Sequence, residues 1–200
     1  MRLRTMKTLR NNLHKWWYLY LISLILLPFL SWYLVHTINL PRNEETFSVF
    51  IASCSTSTST LRAAFEKKKP SYLRETTIRS YVYFDNSFQQ YYSISGKNGS
   101  DVVILPESKI VSETVIYYYE KLDSLFPVSD KDTYFIPEGM SSPYGIRIHS
   151  KEEKENNLIA YSDDTHNEDY YIFFKKGSCH LKEPYKTISI FLDVLREEKA

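Results

Sequence analysis

The chain has 200 residues, of which 43% are hydrophobic and 24% charged, and its formal net charge is +1 at pH 7. This length is enough for one domain with a substantial core. Residues 1–42 hold six of the 25 Lys and Arg residues and none of the 24 acids, so residues 43–200 carry 19 basic against 24 acidic residues, a net charge of −5. That balance argues against a nucleic-acid partner for the larger part of the chain.

The first element is a run of twenty uncharged residues, 16–35, which reads WWYLYLISLILLPFLSWYLV. A helix of this length reaches about 30 Å, the thickness of the hydrocarbon core of a bilayer. Trp16 and Trp17 at one end, and Trp32 and Tyr33 at the other, fall at the headgroup levels that amphipathic rings favour. Pro28 is tolerated in a membrane helix. The run therefore predicts a membrane-spanning helix.

Charges on either side of this run predict its orientation. Five basic residues and no acid precede it, whereas the first acid of the chain, Glu44, follows it. Basic flanks stay in the cytoplasm, so we predict a single-pass protein of the cell membrane with an extracytoplasmic main domain. Its predicted regions are a cytoplasmic basic segment (1–15), a signal anchor (16–38), a linker (39–45) and an α/β domain (46–200). A cleavable signal peptide is the alternative, but its apolar region should be shorter and end in small residues.

Strand-like and helix-like segments alternate after the anchor. Residues 46–53 (TFSVFIAS), 76–84 (TTIRSYVYF) and 101–105 (DVVIL) have the composition of strands, and residues 61–69 and 87–92 have helical spacing. The order β-α-β-α-β favours a doubly wound parallel sheet with helices on both faces.

The pattern changes in the second half of the chain. Residues 109–125 have helical periodicity, and residues 126–142 read as an irregular connection. Three strand candidates separated by polar joints then suggest antiparallel hairpins, and a C-terminal helix follows; these segments are 144–149 (YGIRIH), 158–162 (LIAYS), 170–175 (YYIFFK) and 184–198. We therefore predict an α/β fold: one doubly wound, three-layer α/β/α domain with a mixed sheet, preceded by one transmembrane helix.

Three phrases resemble segments of the extracellular solute-binding proteins of ABC transporters, the type 2 periplasmic-binding-protein group. Residues 101–108 (DVVILPES) are similar to that family's D-V-hydrophobic-x-L-x-E-S segment, residues 143–147 (PYGIR) to its Y-G-I-P strand, and residues 170–176 (YYIFFKK) to its L-Y-Y-N-K strand. The resemblance implies a lobe of the periplasmic-binding-protein type over about residues 46–181. That family holds solute between two lobes, and the resemblance covers only the first, which is half of a binding clamp.

Polar side chains follow the first three predicted strands, at the sheet edge where open α/β sheets bind ligands. They are Ser53, Ser55 and Thr56 after the first strand, Asp85 and Asn86 after the second, and Glu107 and Ser108 after the third. Hydroxyl groups and helix-start amides at these positions could hold a sugar or an anion. The alternative is that the Ser and Thr residues form a turn and a helix cap, with Glu107 as a helix-start charge.

Other candidate groups carry weaker signals. Cys54 and Cys179 could form a disulfide outside the cell or could be two small hydrophobes, because bonding requires Cα atoms within about 7 Å. Residues 163–169 (DDTHNED) lack the alternating acids and central Gly of a calcium loop and read as a solvated hairpin tip. No nucleophile elbow, phosphate loop or zinc-protease motif is present, so we expect no catalytic residue, metal or cofactor.

These features together predict a non-catalytic accessory subunit of a membrane complex, which contacts a protein partner and at most presents a weak site for a carbohydrate or another small solute. One alternative is a true solute receptor for a sugar-like ligand, completed by a second lobe or by dimerisation. A second alternative is a cell-surface hydrolase that uses Cys179 and His180.

Overall fold

The computed structural model describes residues 2–124, 133–153, 158–181, 184 and 186–197. The chain divides into two compact units, Met1–Leu40 and Pro41–Ala200. The first unit is one helix, α1 (Arg2–Asn39), which continues through Pro28. Within the part of the chain that is described, it contains the one helical segment, Trp16–Asn39, that is long and apolar enough to cross a membrane. The predicted spanning segment is therefore present as a helix with exposed apolar side chains.

The second unit is built on a six-stranded mixed sheet with the strand order β2-β1-β3-β6-β5-β4. Its strands are β1 (Thr46–Ser53), β2 (Glu75–Val82), β3 (Val102–Pro106), β4 (Tyr134–Phe135), β5 (Gly145–His149) and β6 (Tyr170–Phe174). β1 pairs in parallel with β2 and with β3, whereas β6 runs antiparallel to both β3 and β5, and β4 antiparallel to β5. The α/β fold with a mixed sheet agrees with the sequence prediction.

Helical segments contact both faces of β1. The longer ones are α2 (Ser59–Lys68), α4 (Ser112–Tyr118) and α5 (Thr187–Glu197), and α3 (Phe88–Tyr91) is a single turn that continues into a π-helical turn. On one face, the ring of Phe47 lies 5.5 Å from Phe65 of α2 and 5.7 Å from Phe191 of α5. On the other face, Phe50 lies 6.0 Å from Phe88 of α3. Because both faces are covered, six of the eight residues of β1 are buried.

The predicted helix over residues 109–125 is too long, since α4 contains only Ser112–Tyr118. Tyr119 leaves the helix to form an antiparallel bridge with Lys175, and its buried ring stacks on Phe173 at 5.2 Å. The amide of Glu120 then donates to the Phe174 carbonyl at 2.8 Å. Pairing beside β6 thus overrides the helical periodicity of this segment.

The predicted strand over residues 158–162 is wrong. Leu158, Ile159 and Tyr161 are buried, but residues 158–161 belong to no strand of the sheet, and Ser162 forms an isolated antiparallel bridge with Asn167. We call residues 158–169 the strap. Of the predicted irregular connection, residues 126–132 lie outside the described residues, and Tyr134–Phe135 forms the short edge strand β4.

Candidate functional site

The order β2-β1-β3 creates a topological switch point between β1 and β3, because the chain leaves β1 first toward one neighbour and later returns on the other side. In open α/β sheets, ligands bind in the crevice outside the carboxyl ends of the strands at such a point. The predicted ligand residues follow these strand ends in sequence. In the structure, however, the strap lies across the same strand ends.

The strap is fixed to the end of β1 by backbone and aromatic contacts. The amide of Cys54 donates to the Ala160 carbonyl at 2.9 Å. Tyr161 is 1% exposed, its ring stacks on His149 at 4.4 Å, and it meets Tyr170 edge-on at 4.9 Å. Burying a tyrosine ring removes roughly 150–250 Å² from water, so Tyr161 is the main apolar anchor of the strap.

A carboxylate of the strap satisfies donors at the ends of β2 and β3. Glu168 accepts hydrogen bonds from the Ser108 amide at 2.9 Å, from the Ser108 hydroxyl at 3.0 Å and from the Tyr83 hydroxyl at 3.2 Å. Tyr83 is 3% exposed, and burial together with the Glu168 charge raises the pKa of its phenol, so it stays protonated and donates. The chain itself therefore supplies the anion that this group of donors holds.

The outer end of the strap is a tight polar tip. Asp163 Oδ1 accepts hydrogen bonds from the Thr165 amide at 2.8 Å and from the His166 amide at 2.7 Å, and these bonds lower the pKa of Asp163. The His166 ring then stacks on Phe84, just after β2, at 4.3 Å. Contacts thus tie the strap to the ends of β1, β2 and β3.

The residues predicted after the first strand are engaged mainly with one another. Ser53 is 1% exposed, and its hydroxyl lies 2.6 Å from that of Ser80. The Ser55 carbonyl accepts hydrogen bonds from both of these hydroxyls, and the Ser55 amide donates to Ser53 Oγ at 3.2 Å. Thr56 is exposed. The bonds between residues 53 and 55 agree with a local turn, but the helix cap suggested with it is not seen, because Thr58 at the start of α2 makes no side-chain capping hydrogen bond.

The residues predicted after the second and third strands do not converge on a common point. Asp85 accepts hydrogen bonds from the Ser87 amide at 2.9 Å and hydroxyl at 2.7 Å, which lower the pKa of Asp85, and Asn86 is exposed beside it. Glu107 has an exposed side chain, and its amide donates to the Asp169 carbonyl at 2.9 Å. Ser108 alone joins a larger cluster, and its partners there, Tyr83 and Glu168, were not among the predicted residues.

The opposite, amino-terminal edge of the sheet has an open polar groove of about 420 Å³. Asp101, before β3, organises it by accepting hydrogen bonds from the Ser48 amide, the Ser48 hydroxyl and the Ser178 hydroxyl, each at 2.9 Å. Glu44 and Cys179 also line the groove. Its chemistry is that of hydroxyl and carboxylate groups, with Asp101 already occupied by structural bonds.

Cys179 and His180 do not form a nucleophile and base pair. His180 is fully buried, with Nε2 donating to the Thr46 carbonyl at 2.7 Å and Nδ1 at 3.0 Å from Thr187 Oγ1. Burial and the nearby charges of Asp101 and Glu44 raise the pKa of the Cys179 thiol, which keeps it protonated. Thiolate chemistry requires the opposite shift.

The two cysteines lie near opposite ends of β1 and are not bonded in the structure. Cys54 directly follows β1 and contacts the Tyr161 carbonyl at 3.5 Å, whereas Cys179 approaches the Asn43 carbonyl, before β1, at 3.8 Å. An eight-residue strand separates such positions by more than 20 Å, far beyond disulfide range. The suggested Cys54–Cys179 disulfide is therefore not formed.

No protein-family model, curated protein or solved structure matches this chain. Among the residues that the structure describes, no group of three or more His, Cys, Asp or Glu side chains is arranged to hold a metal ion. The function is therefore inferred from the two edges of the sheet and from the exposed surface.

Proposed function

We propose that this chain is a membrane-anchored, extracytoplasmic and non-catalytic domain that contacts a partner protein as an accessory subunit of a membrane complex. We further propose that its globular part is a three-layer α/β/α lobe that resembles the first lobe of an ABC-transporter solute-binding protein. Packing of α2 and α5 against one face of β1, and of α3 against the other, supports the layered arrangement.

The observation that carries this proposal is the closed carboxyl edge. A solute at the switch point would have to displace the Ala160 carbonyl from Cys54, the Tyr161 ring from its aromatic neighbours and the Glu168 carboxylate from its donors. A single lobe would also leave one side of that solute in water, without the burial that small-molecule sites provide. Both effects favour protein contact over solute binding.

A surface suited to protein contact lies on the face of the sheet that carries α3. Phe50, Tyr81 and Tyr91 form a ladder of nearly parallel rings, with centroids 4.9 and 4.8 Å apart. Tyr91 at its end is 44% exposed, and nearby Ile94 is 64% exposed. Exposed aromatic side chains held by packing are typical anchors of protein interfaces.

The proposed topology is tested with single cysteines in the full chain. In a Cys54→Ala/Cys179→Ala background, Tyr117→Cys adds a thiol at an exposed position of the second unit, and Thr5→Cys adds one before the apolar segment of α1. We expect a membrane-impermeant maleimide to label the first variant in intact cells and the second only after permeabilisation. Labelling of Thr5→Cys alone in intact cells would reverse the orientation and end the proposal.

The proposed contact is tested with a photoreactive phenylalanine analogue at Tyr91 and, as the matched control, at exposed Glu113 on α4. We expect irradiation of cells to join the Tyr91 variant to one discrete membrane protein, while the Glu113 variant gives no such adduct. Calorimetry of the full chain in detergent against common sugars tests the receptor alternative. Specific micromolar binding of a sugar, without a protein adduct, would replace the proposal by the receptor alternative.

A further inference from the structure

The sheet has an open edge at β2 (Glu75–Val82). β2 pairs with β1 along all eight residues, and within the described ranges no other strand pairs with its outer side. A strand of this length with a free side is a template for pairing with another chain. The side chains of β2 show which strand would fit.

The two charged residues of β2 are arranged symmetrically about its third residue. Glu75 and Arg79 are both exposed, and each is two residues from Thr77. All three side chains point to the same face, since side chains alternate along a strand. Neither charge forms an ion pair with any residue that the structure describes, so both are available to a partner.

We propose that β2 pairs antiparallel with β2 of a second copy of this chain, with Thr77 on the two-fold axis. In this register Glu75 of each copy lies opposite Arg79 of the other, which gives two cross-strand ion pairs on one face. The contact is self-complementary, as two-fold symmetry requires. A parallel alignment, or a shift of the register, would remove these pairs or oppose like charges.

The surface beside β2 has room for the side chains of a second copy. A groove of about 280 Å³ lies between Thr77 and Arg79 on one side and Ile94 and Ser95 on the other. Ile94 is 64% exposed at its margin. This homotypic contact goes beyond the proposed function and does not depend on it. The two proposals can be distinguished by experiment, because an adduct with a second copy has twice the mass of the chain, unlike an adduct with another protein.

The register is tested by disulfide cross-linking of the full chain in its native membranes. Thr77→Cys is made in the Cys54→Ala/Cys179→Ala background, and Tyr117→Cys, which is 72% exposed, is the control for random collision. Residues directly opposite in an antiparallel pair have Cα atoms about 4.5–5.5 Å apart, which suits a disulfide. We expect mild oxidation to give a dimer with Thr77→Cys and little with Tyr117→Cys.

Charge reversal then tests the partner. Glu75→Arg or Arg79→Glu, each added to Thr77→Cys, should lower the cross-linked fraction about fivefold, because like charges then face each other twice. Combining both reversals should restore it. Native mass spectrometry of the chain without added cysteine gives a second readout, in which the same single reversals should abolish the dimer. A cross-link to another protein, a yield equal to that of the Tyr117→Cys control, or a yield indifferent to charge reversal would overturn the inference.

Discussion

The carboxyl and amino edges of the sheet are built from opposite ends of the same strands, yet they differ in what covers them. At the carboxyl edge, the strap places a buried tyrosine and a carboxylate over the ends of β1 and β3. At the amino edge, Asp101 ties β1 to Ser178 but leaves a groove of about 420 Å³ open to solvent. Polar groups at the first edge are directed at the chain itself, whereas part of the second edge faces water.

This difference shows that the usual location of a site in an α/β sheet is only a general expectation. The switch point lies where strand order predicts, and its donors are present as the Ser108 amide, the Ser108 hydroxyl and the Tyr83 hydroxyl. The strap fills the crevice instead of a ligand. Its apolar side chains are buried there, and its Glu168 carboxylate accepts hydrogen bonds from these donors. Function follows the local chemistry of a site and not its position in the fold.

The largest expected effect comes from removing the apolar anchor of the strap. Tyr161→Ala should destabilise the globular unit by about 3–4 kcal/mol, since a buried aromatic ring is replaced by a cavity. For a unit of this size that corresponds to roughly 8–14 °C in Tm. Hydrogen exchange should accelerate around Cys54, whose amide donates to the strap, while the Asp101 region stays protected.

Tyr161→Phe is the matched control, because it keeps the ring that stacks on His149. Its effect on Tm should be a small fraction of that of Tyr161→Ala. Equal losses in the two variants, or exchange that accelerates equally at both edges, would mean that the strap is not a separate layer over the carboxyl edge.

A smaller effect with the opposite spatial pattern is expected from Asp101→Ala. This change leaves the Ser48 amide and the Ser178 hydroxyl without their acceptor, while the Ser48 hydroxyl keeps the Gly99 carbonyl at 3.0 Å, and it should cost about 2–3 kcal/mol. Exchange should now accelerate at Ser48 and Ser178, while the Cys54 amide stays protected. Glu113→Ala, on the exposed face of α4, should leave Tm unchanged. Protection retained at Ser48 would show that the amino edge does not depend on this carboxylate.

Glu168→Gln should have a milder effect, about 1 kcal/mol, because an amide oxygen at the Oε1 position can still accept from the Ser108 and Tyr83 hydroxyls but carries no charge. The change also removes a charge that raises the pKa of Tyr83, so that pKa should fall. Hydrogen exchange of the Ser108 amide, which donates to Glu168, should accelerate while the Cys54 amide stays protected. Unchanged protection of the Ser108 amide would contradict the contact between the strap and the end of β3.

The sequence predicted those strands and helices whose hydrophobic pattern is periodic and depends only on neighbouring residues in the chain. The predicted first strand has the same bounds as β1. Helices cover both faces of this strand, so its buried residues form one short run that can be recognised in the sequence. The segment LIAYS has the composition of a strand, but its Tyr161 ring packs on His149 and Tyr170 at the strand ends, and composition alone cannot distinguish these two kinds of burial. Long-range packing also explains why α4 is shorter than predicted. Stacking of Tyr119 on Phe173 stabilises this segment more than another helical turn would.

The candidate site was predicted less well than the fold. Strand ends could be located from sequence, and Ser108 does lie in the cluster at the end of β3. Its partner Glu168 is 60 residues away in the chain, in a segment that reads as a solvated tip, and no local motif connects the two. Long-range pairing of single polar residues leaves no periodic signal, so only the folded chain shows that the crevice is occupied.

The smallest expected effect separates the tip of the strap from its anchor. Hydrogen bonds from Thr165 and His166 lower the folded-state pKa of Asp163 below its unfolded value of about 3.9. A lowered pKa contributes stability above the unfolded value, and this contribution is lost as the pH falls through the folded value. The tip should therefore loosen in acid, seen as a lower protection factor of the His166 amide relative to its intrinsic exchange rate at the same pH. Asp163→Asn keeps the turn but cannot titrate, so its tip should show no such response. Because Asp163 is exposed, the loosening should stop short of Tyr161; acid exchange that spreads to the Cys54 amide would show that tip and anchor open together as one cooperative lid.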